Sequence, residues 1–242
     1  MDHSPNTRRG IYLLPNLFTT AALLAGFYAI MAAVNEQFTA AAVAVFVAMV
    51  LDGIDGRLAR LTNTQTAFGA EYDSMADMVS FGVAPAMVVY LWALTDTGQV
   101  GWVAAFFYTA AAALRLARFN TKVGVSDKRF FQGLPSPSSA ALMVGMVWVF
   151  QDLGLPAENL VYLALVITVL AGAAMVSHFT YFSFKDMDFK HRVPFFVMVA
   201  LVALLMVMAL DPPKILWAGF LLYALSGPAW AAVRWYRKRQ LR

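Results

Sequence analysis

Thr39 to Ala59 reads TAAAVAVFVAMVLDGIDGRLA. From Thr39 to Leu51 there is no charge, and then Asp52, Asp55 and Arg57 follow on the same run with Gly53 and Gly56 between them. A mostly apolar run of about 20 residues is the length that crosses a bilayer core as a helix. One that closes on two carboxylates is a span whose end carries chemistry, because charge at that depth is costly to keep.

Working outward, the same kind of run recurs near Tyr12 to Val34, Phe68 to Leu94, Val100 to Phe119, Ser138 to Phe150, Leu160 to Phe182, Val193 to Leu210 and Ile215 to Trp235. Short breaks such as Asn35-Glu36-Gln37 and Asp211-Pro212-Pro213 separate them, rich in helix-stopping residues and too small for a second domain. The pattern predicts an all-α, polytopic membrane helix bundle of about eight helices. The fifth run is short and starts at Pro135 and Pro137, so a re-entrant or tilted segment is the alternative there. Composition agrees: 61% of the 242 residues are hydrophobic and 13% charged, against roughly 25% charged in soluble domains. With no Cys, disulfides, Cys-ligated zinc, iron–sulfur clusters and thiol nucleophiles are excluded.

Orientation follows from the basic residues. Alternate loops place Arg8, Arg9, Arg57, Arg60, Arg115, Arg118, Lys122, Lys128, Arg129, Lys185, Lys190, Arg192, Arg234, Arg237, Lys238, Arg239 and Arg242 on one side, 17 of 18, and only Lys214 on the other. The loaded side is expected to be cytoplasmic, with both termini on it, as an even number of spans requires. The first run exceeds a signal-peptide core and lacks a clear cleavage site, so it reads as a retained helix. The basic C-terminus suits an anionic inner leaflet, whereas a nucleic-acid footprint would need a basic face on a soluble domain.

Asp52, Asp55, Asp73 and Asp77 lie where the second span ends and the third begins. Spacings of three and four residues put each pair on one helical face, so an antiparallel helix pair can aim four carboxylates at one space. Four bare charges repel and call for cations; oxygen ligands without His or Cys indicate hard ions, Mg²⁺ or Mn²⁺, and two such ions balance four carboxylates while still binding phosphate oxygens. The plainer alternative is a buried network with Arg57 and Arg60. Gly53, Gly56 and Ala59 leave the second helix almost bare beside the acids, which suits either a bound ligand or close helix packing.

The run Asp52-Gly53-Ile54-Asp55-Gly56-Arg57-Leu58-Ala59-Arg60, followed by Gly69, Asp73 and Asp77, resembles the signature of the CDP-alcohol phosphatidyltransferases. All eight signature positions match: Asp52, Asp55, Gly56, Ala59, Arg60, Gly69, Asp73 and Asp77. The resemblance implies a core of six membrane helices, usually dimeric, with a two-metal site (Mg²⁺ or Mn²⁺) opening to the cytoplasm. It implies Asp52, Asp55 and Asp73 as metal ligands, Asp77 as both ligand and base, and Gly56 and Ala59 as room for the cytidine nucleotide. Arg60 either braces the carboxylates or meets a phosphate. Asn16 and Thr19 resemble polar positions facing the nucleotide in this family, with helix-to-helix hydrogen bonds as the alternative. The chain then reads as a single membrane domain over 1–242, with a catalytic core of about 12–182 and additional helices of about 193–236.

The acceptor rests on other segments. Asp77 to Pro85, Leu114 to Asn120, and Phe131 to Pro137 resemble the phosphatidylserine synthase branch, which implies CDP-diacylglycerol and L-serine as substrates. Arg115 and Arg118, three apart, can offer planar donor forks to a carboxylate or phosphate, with Asn120 adding an amide; ordinary positive-inside anchoring is the alternative. The Gly133-Leu134-Pro135-Ser136-Pro137 turn is either a rigid pocket wall or only a helix start. His3, His178 and His191 lie away from the acids and read as interfacial or solvated. Trp92, Trp102, Trp217, Trp230, Trp235 and Tyr236 read as an aromatic belt. Competing functions are the same transfer to glycerol 3-phosphate or an inositol compound, and a cation transporter using the four Asp.

Overall fold

The computed structural model describes residues 13–62, 64, 66–121, 130–182 and 195–240. They form eight helices: α1 (Leu13–Val34), α2 (Phe38–Leu61), α3 (Ala67–Thr97), α4 (Gln99–Thr121), α5 (Ser136–Asp152), α6 (Val161–Val176, after a 3₁₀ turn at Ala157–Leu160), α7 (Phe195–Leu210) and α8 (Pro212–Gln240). The all-α polytopic bundle read from the apolar runs is the observed architecture. Six of the helices are long and apolar enough to cross a membrane, namely α1 to α4, α6 with its 3₁₀ turn, and α8. At ~1.5 Å per residue, the 17 residues of α5 and 16 of α7 fall short of a ~30 Å core. Arg8, Arg9, Lys122, Lys128, Arg129, Lys185, Lys190, Arg192 and Arg242, with His3 and His191, lie outside the described residues.

The α1–α2 hairpin is closed by local bonds. Asn35 Nδ2 caps the Met31 carbonyl at 2.8 Å, Glu36 takes a left-handed φ of 61°, and Gln37 N–H returns to the Ala32 carbonyl at 2.8 Å. Both helices bury alanines, Ala29, Ala32 and Ala33 on one and Ala41, Ala42 and Ala48 on the other, small residues that allow close approach without a hydrophobic driving force. At the centre stands α5, buried without a break from Ser139 to Val147. A helix apolar on most of its faces belongs inside, and this short run is packed within the bundle. It begins two residues before the expected start, with Pro137 in its first turn, where proline's missing N–H costs nothing.

Two departures from simple spans shape the site. The helix α3 is α-helical over Ala67–Asp77, π-helical over Met78–Val83, α-helical over Ala84–Val89 and π-helical over Tyr90–Leu94, ending in a 3₁₀ turn at Thr95–Thr97. The sixth run does not continue to Phe182: Ser177 is extended, its hydroxyl donates to the Ala174 carbonyl at 2.8 Å, and the helix stops at Val176. Beyond it β2 (Thr180–Phe182) pairs antiparallel with β1 (Phe130–Gln132), Phe131 opposite Tyr181. Gly133 closes this ladder with a φ of 83° and its N–H on the Phe179 carbonyl at 2.8 Å; a Cβ there would collide with the Met175 carbonyl.

Candidate active site

The site is built where α2 ends and α3 begins. Thr66 caps α3, its Oγ1 accepting the Gly69 N–H at 2.9 Å, and this fixes the turns that carry Gly69, Asp73 and Asp77. Carboxylate oxygens of Asp52, Asp55 and Asp73 all lie within 4.8 Å of one another. At that separation each pair of bare charges repels by about 3 kcal/mol at an effective dielectric of ~20. An all-oxygen trio this tight therefore has the donor chemistry of a hard divalent cation site. Asp77, half-buried, lies within hydrogen-bonding reach of Asp52 and faces Arg115 from the next turn of α3. Asp55 is the buried member, and Thr19 Oγ1 of α1 donates to its Oδ2 at 2.6 Å.

Beside the carboxylates a cavity of about 270 Å³ is lined by Pro15, Asn16 and Thr19 of α1, Asp55, Gly56 and Ala59 of α2, Thr64 and Thr66, and Gly69, Ala70 and Asp73 of α3. A Cβ on Gly56 would meet no protein atom within 4 Å, so the bare face of α2 opens on space and is not a close helix contact. Gly69 is tighter, with Thr66 Oγ1 at 3.1 Å and Asn16 Oδ1 at 3.4 Å from such a Cβ. Arg60 runs back along its own helix, Nε donating to the Gly56 carbonyl at 2.8 Å. Pro15, Thr64, Thr66 and Ala70 were not singled out in the sequence; only Thr66 had a readable signal, a capping residue ahead of a helix.

On the other side of Asp77 lies the end of α4. Arg115 Nη1 donates to Ser136 Oγ at 2.8 Å, in the first turn of α5. Arg118 Nη2 donates to the Gln132 carbonyl at 2.7 Å, and Nη1 reaches the Val176 carbonyl at 3.5 Å. Asn120 Nδ2 lies 3.1 Å from Ser74 Oγ, next to Asp73. The Gly133 to Pro137 turn is thus a helix start that also supplies, through Ser136, the partner of Arg115, while Arg118 bonds the carbonyl of Gln132 just before it.

Residues 12–177 match the CDP-alcohol phosphatidyltransferase family. The chain belongs to that family, and is a transferase and an integral membrane protein. It is similar to the CDP-diacylglycerol–serine O-phosphatidyltransferase of Helicobacter pylori, 35% identical over 215 residues covering 89% of this chain and 90% of the relative. The protein of the same name from Mycobacterium tuberculosis is 39% identical over 157 residues, 62% of this chain and 54% of that one. The one from Saccharomyces cerevisiae is 36% identical over 149 residues, 56% and 53% of the two chains.

Proposed function

We propose that the protein transfers a phosphatidyl group from CDP-diacylglycerol to L-serine, releasing CMP, in a reaction dependent on Mg²⁺ or Mn²⁺. The observation that carries this reading is the convergence of Asp52, Asp55 and Asp73, two of which, Asp55 and Asp73, line a cavity together with the small residues Gly56, Ala59 and Gly69. The serine acceptor is supported by the relatives' names, one of them aligned over nine-tenths of both chains.

Asp52, Asp55, Asp73 and Asp77 would hold two divalent ions, which supply charge stabilisation on the diphosphate oxygens as the bond to CMP breaks. The cytidine nucleotide lies against Gly56, Ala59 and Gly69, with Asn16 and Thr19 on the facing helix and Arg60 at the edge. Asp77, on the side away from the cavity, accepts the hydroxyl proton as the serine oxygen bonds to the lipid-bearing phosphorus and the oxygen of CMP departs with its electron pair. Arg115, Arg118 and Asn120 border the acceptor, and an arginine fork matches the amino acid's carboxylate. Asp77 near Asp52 and facing Arg115 supports this division, donor on one side and acceptor on the other.

The excess of basic residues on one side supports a site and both termini at the cytoplasmic face of the inner membrane, and the family resemblance supports a homodimer. The test is mass-spectrometric identification of the lipid product after incubation of purified protein with CDP-diacylglycerol, Mg²⁺ or Mn²⁺, and a mixture of serine, glycerol 3-phosphate and inositol. Phosphatidylserine is expected; another phosphatidyl alcohol as the main product overturns the acceptor.

A further inference from the structure

The last two helices lie beyond the residues that match the family, yet α8 is tied to the candidate site by a specific contact. Pro228 sits inside α8 and has no N–H, so the Ala224 carbonyl one turn earlier loses its α-helical donor. Tyr181 of β2 supplies the replacement, its hydroxyl donating to the Ala224 oxygen at 3.1 Å. The fully buried Tyr181 ring fits there because Gly227 has no side chain: a Cβ on Gly227 would collide with the ring. Burial and the neighbouring Tyr223 push the Tyr181 phenol up to about 12, so it remains a donor throughout the physiological range.

From Tyr181 the connections run back to the arginines. Tyr181 pairs with Phe131 in the ladder, and the next residue, Gln132, gives its carbonyl to Arg118. Four residues on, Ser136 gives its hydroxyl to Arg115. The same face of α8 carries Tyr223, whose ring centroid lies 5.6 Å from that of Tyr181 and whose phenol is within electrostatic reach of Arg115. Trp217, one helix turn and a half before it, donates to the Leu142 carbonyl of α5 at 3.1 Å, so α8 is also clamped to the helix that Ser136 begins.

We propose that Tyr181 is a positioning residue for the acceptor side of the site: its bond to the carbonyl freed by Pro228 fixes the β-ladder to α8, and thereby holds Gln132 and Ser136 where they orient Arg118 and Arg115. This rests on the assignment of those arginines to the acceptor. It gives the C-terminal helix a part in acceptor binding without placing any of its residues on the reacting atoms.

The experiment is steady-state kinetics of the full-length purified protein with CDP-diacylglycerol and serine, comparing the parent, Tyr181→Phe, Pro228→Ala and the double variant. Tyr181→Phe is expected to raise the acceptor KM by about fivefold, the scale of one lost hydrogen bond, with the donor KM unchanged. Pro228→Ala restores an N–H to the Ala224 carbonyl, so in the double variant the helix is mended while the tether stays broken, and the raised acceptor KM should persist. Two results overturn the proposal: an unchanged acceptor KM in Tyr181→Phe, or losses shared by both substrates that Pro228→Ala repairs, which would make the tyrosine a helix-stabilising group only. If the parent itself turns over another alcohol in place of serine, the serine assignment fails in the parent, and the same comparison is read on the alcohol it uses.

Discussion

Thr19 on α1 and Asp55 on α2 are joined across the helix pair by a 2.6 Å hydrogen bond, hydroxyl to carboxylate. The single hydroxyl hydrogen has a second acceptor at 3.1 Å, the Pro15 carbonyl, but the carboxylate is nearer and charged. The bond fixes which Asp55 oxygen turns away from α1. Partners of this kind orient metal ligands, and their loss typically costs about 10-fold or more in metal affinity. Thr19→Val should therefore raise the Mg²⁺ or Mn²⁺ concentration for half-maximal activity by about tenfold, with Thr19→Ser near the parent. A metal titration of the three proteins checks it.

Asp52→Asn, Asp55→Asn and Asp73→Asn each remove one charge from a cluster that the protein assembles at a cost. Turnover should fall by roughly 100-fold or more in each, while the variants elute from detergent chromatography as the parent does, because removing a repulsive charge does not weaken the bundle. Parent-like turnover in any two of them would sink the two-metal reading.

Gly53 and Gly56 make a matched pair for testing the nucleotide wall. Neither would bring a Cβ within 4 Å of another protein atom, but only Gly56 borders the cavity. Gly56→Leu should weaken CDP-diacylglycerol binding by about tenfold or more and Gly53→Leu should leave it within about twofold, since the space filled is the ligand's in one case only. Equal affinities in the two variants would remove the nucleotide from this wall.

Asp77 and Arg118 should separate in kinetics. Asp77→Asn keeps the size but cannot accept the hydroxyl proton, and kcat should fall by about 100-fold or more at saturating metal with little change in CDP-diacylglycerol binding. Arg118→Lys loses the fork that spans the Gln132 and Val176 carbonyls, and should raise the serine KM several times more than the donor KM. An effect confined to the donor would move Arg118 to the diphosphate.

What the sequence made legible was whatever depends on span length and spacing. The eight apolar runs became eight helices because burying backbone polar groups in lipid leaves few other solutions. The three- and four-residue spacings of the acids brought Asp52, Asp55 and Asp73 to one place because α2 and α3 are antiparallel neighbours. The β-ladder was hidden because three residues such as Thr180–Phe182 carry no alternation and sit at the end of an apolar run that reads as helix. The partners of Arg118 were hidden for a different reason: they are backbone carbonyls, which every residue offers and no residue type announces. Tyr181 and Pro228 are 47 positions apart, too far for any local pattern to join.

The π-helical segment Met78–Val83 lets α3 carry an extra residue within one continuous rod. Before it, Asp73 and Asp77 are phased towards α2 and α4; after it, Val88, Val89 and Leu94 are phased into the core. A π turn holds one residue more than the α turn it replaces. Excising one residue between Met78 and Val83 would let the segment relax to α-helix with the carboxylates still in phase with the buried face, whereas a one-residue change that no π turn absorbed would swing them by about 100°. Along this stretch the chain carries a spare residue: one codon can be lost here with the chemistry and the scaffold still facing each other.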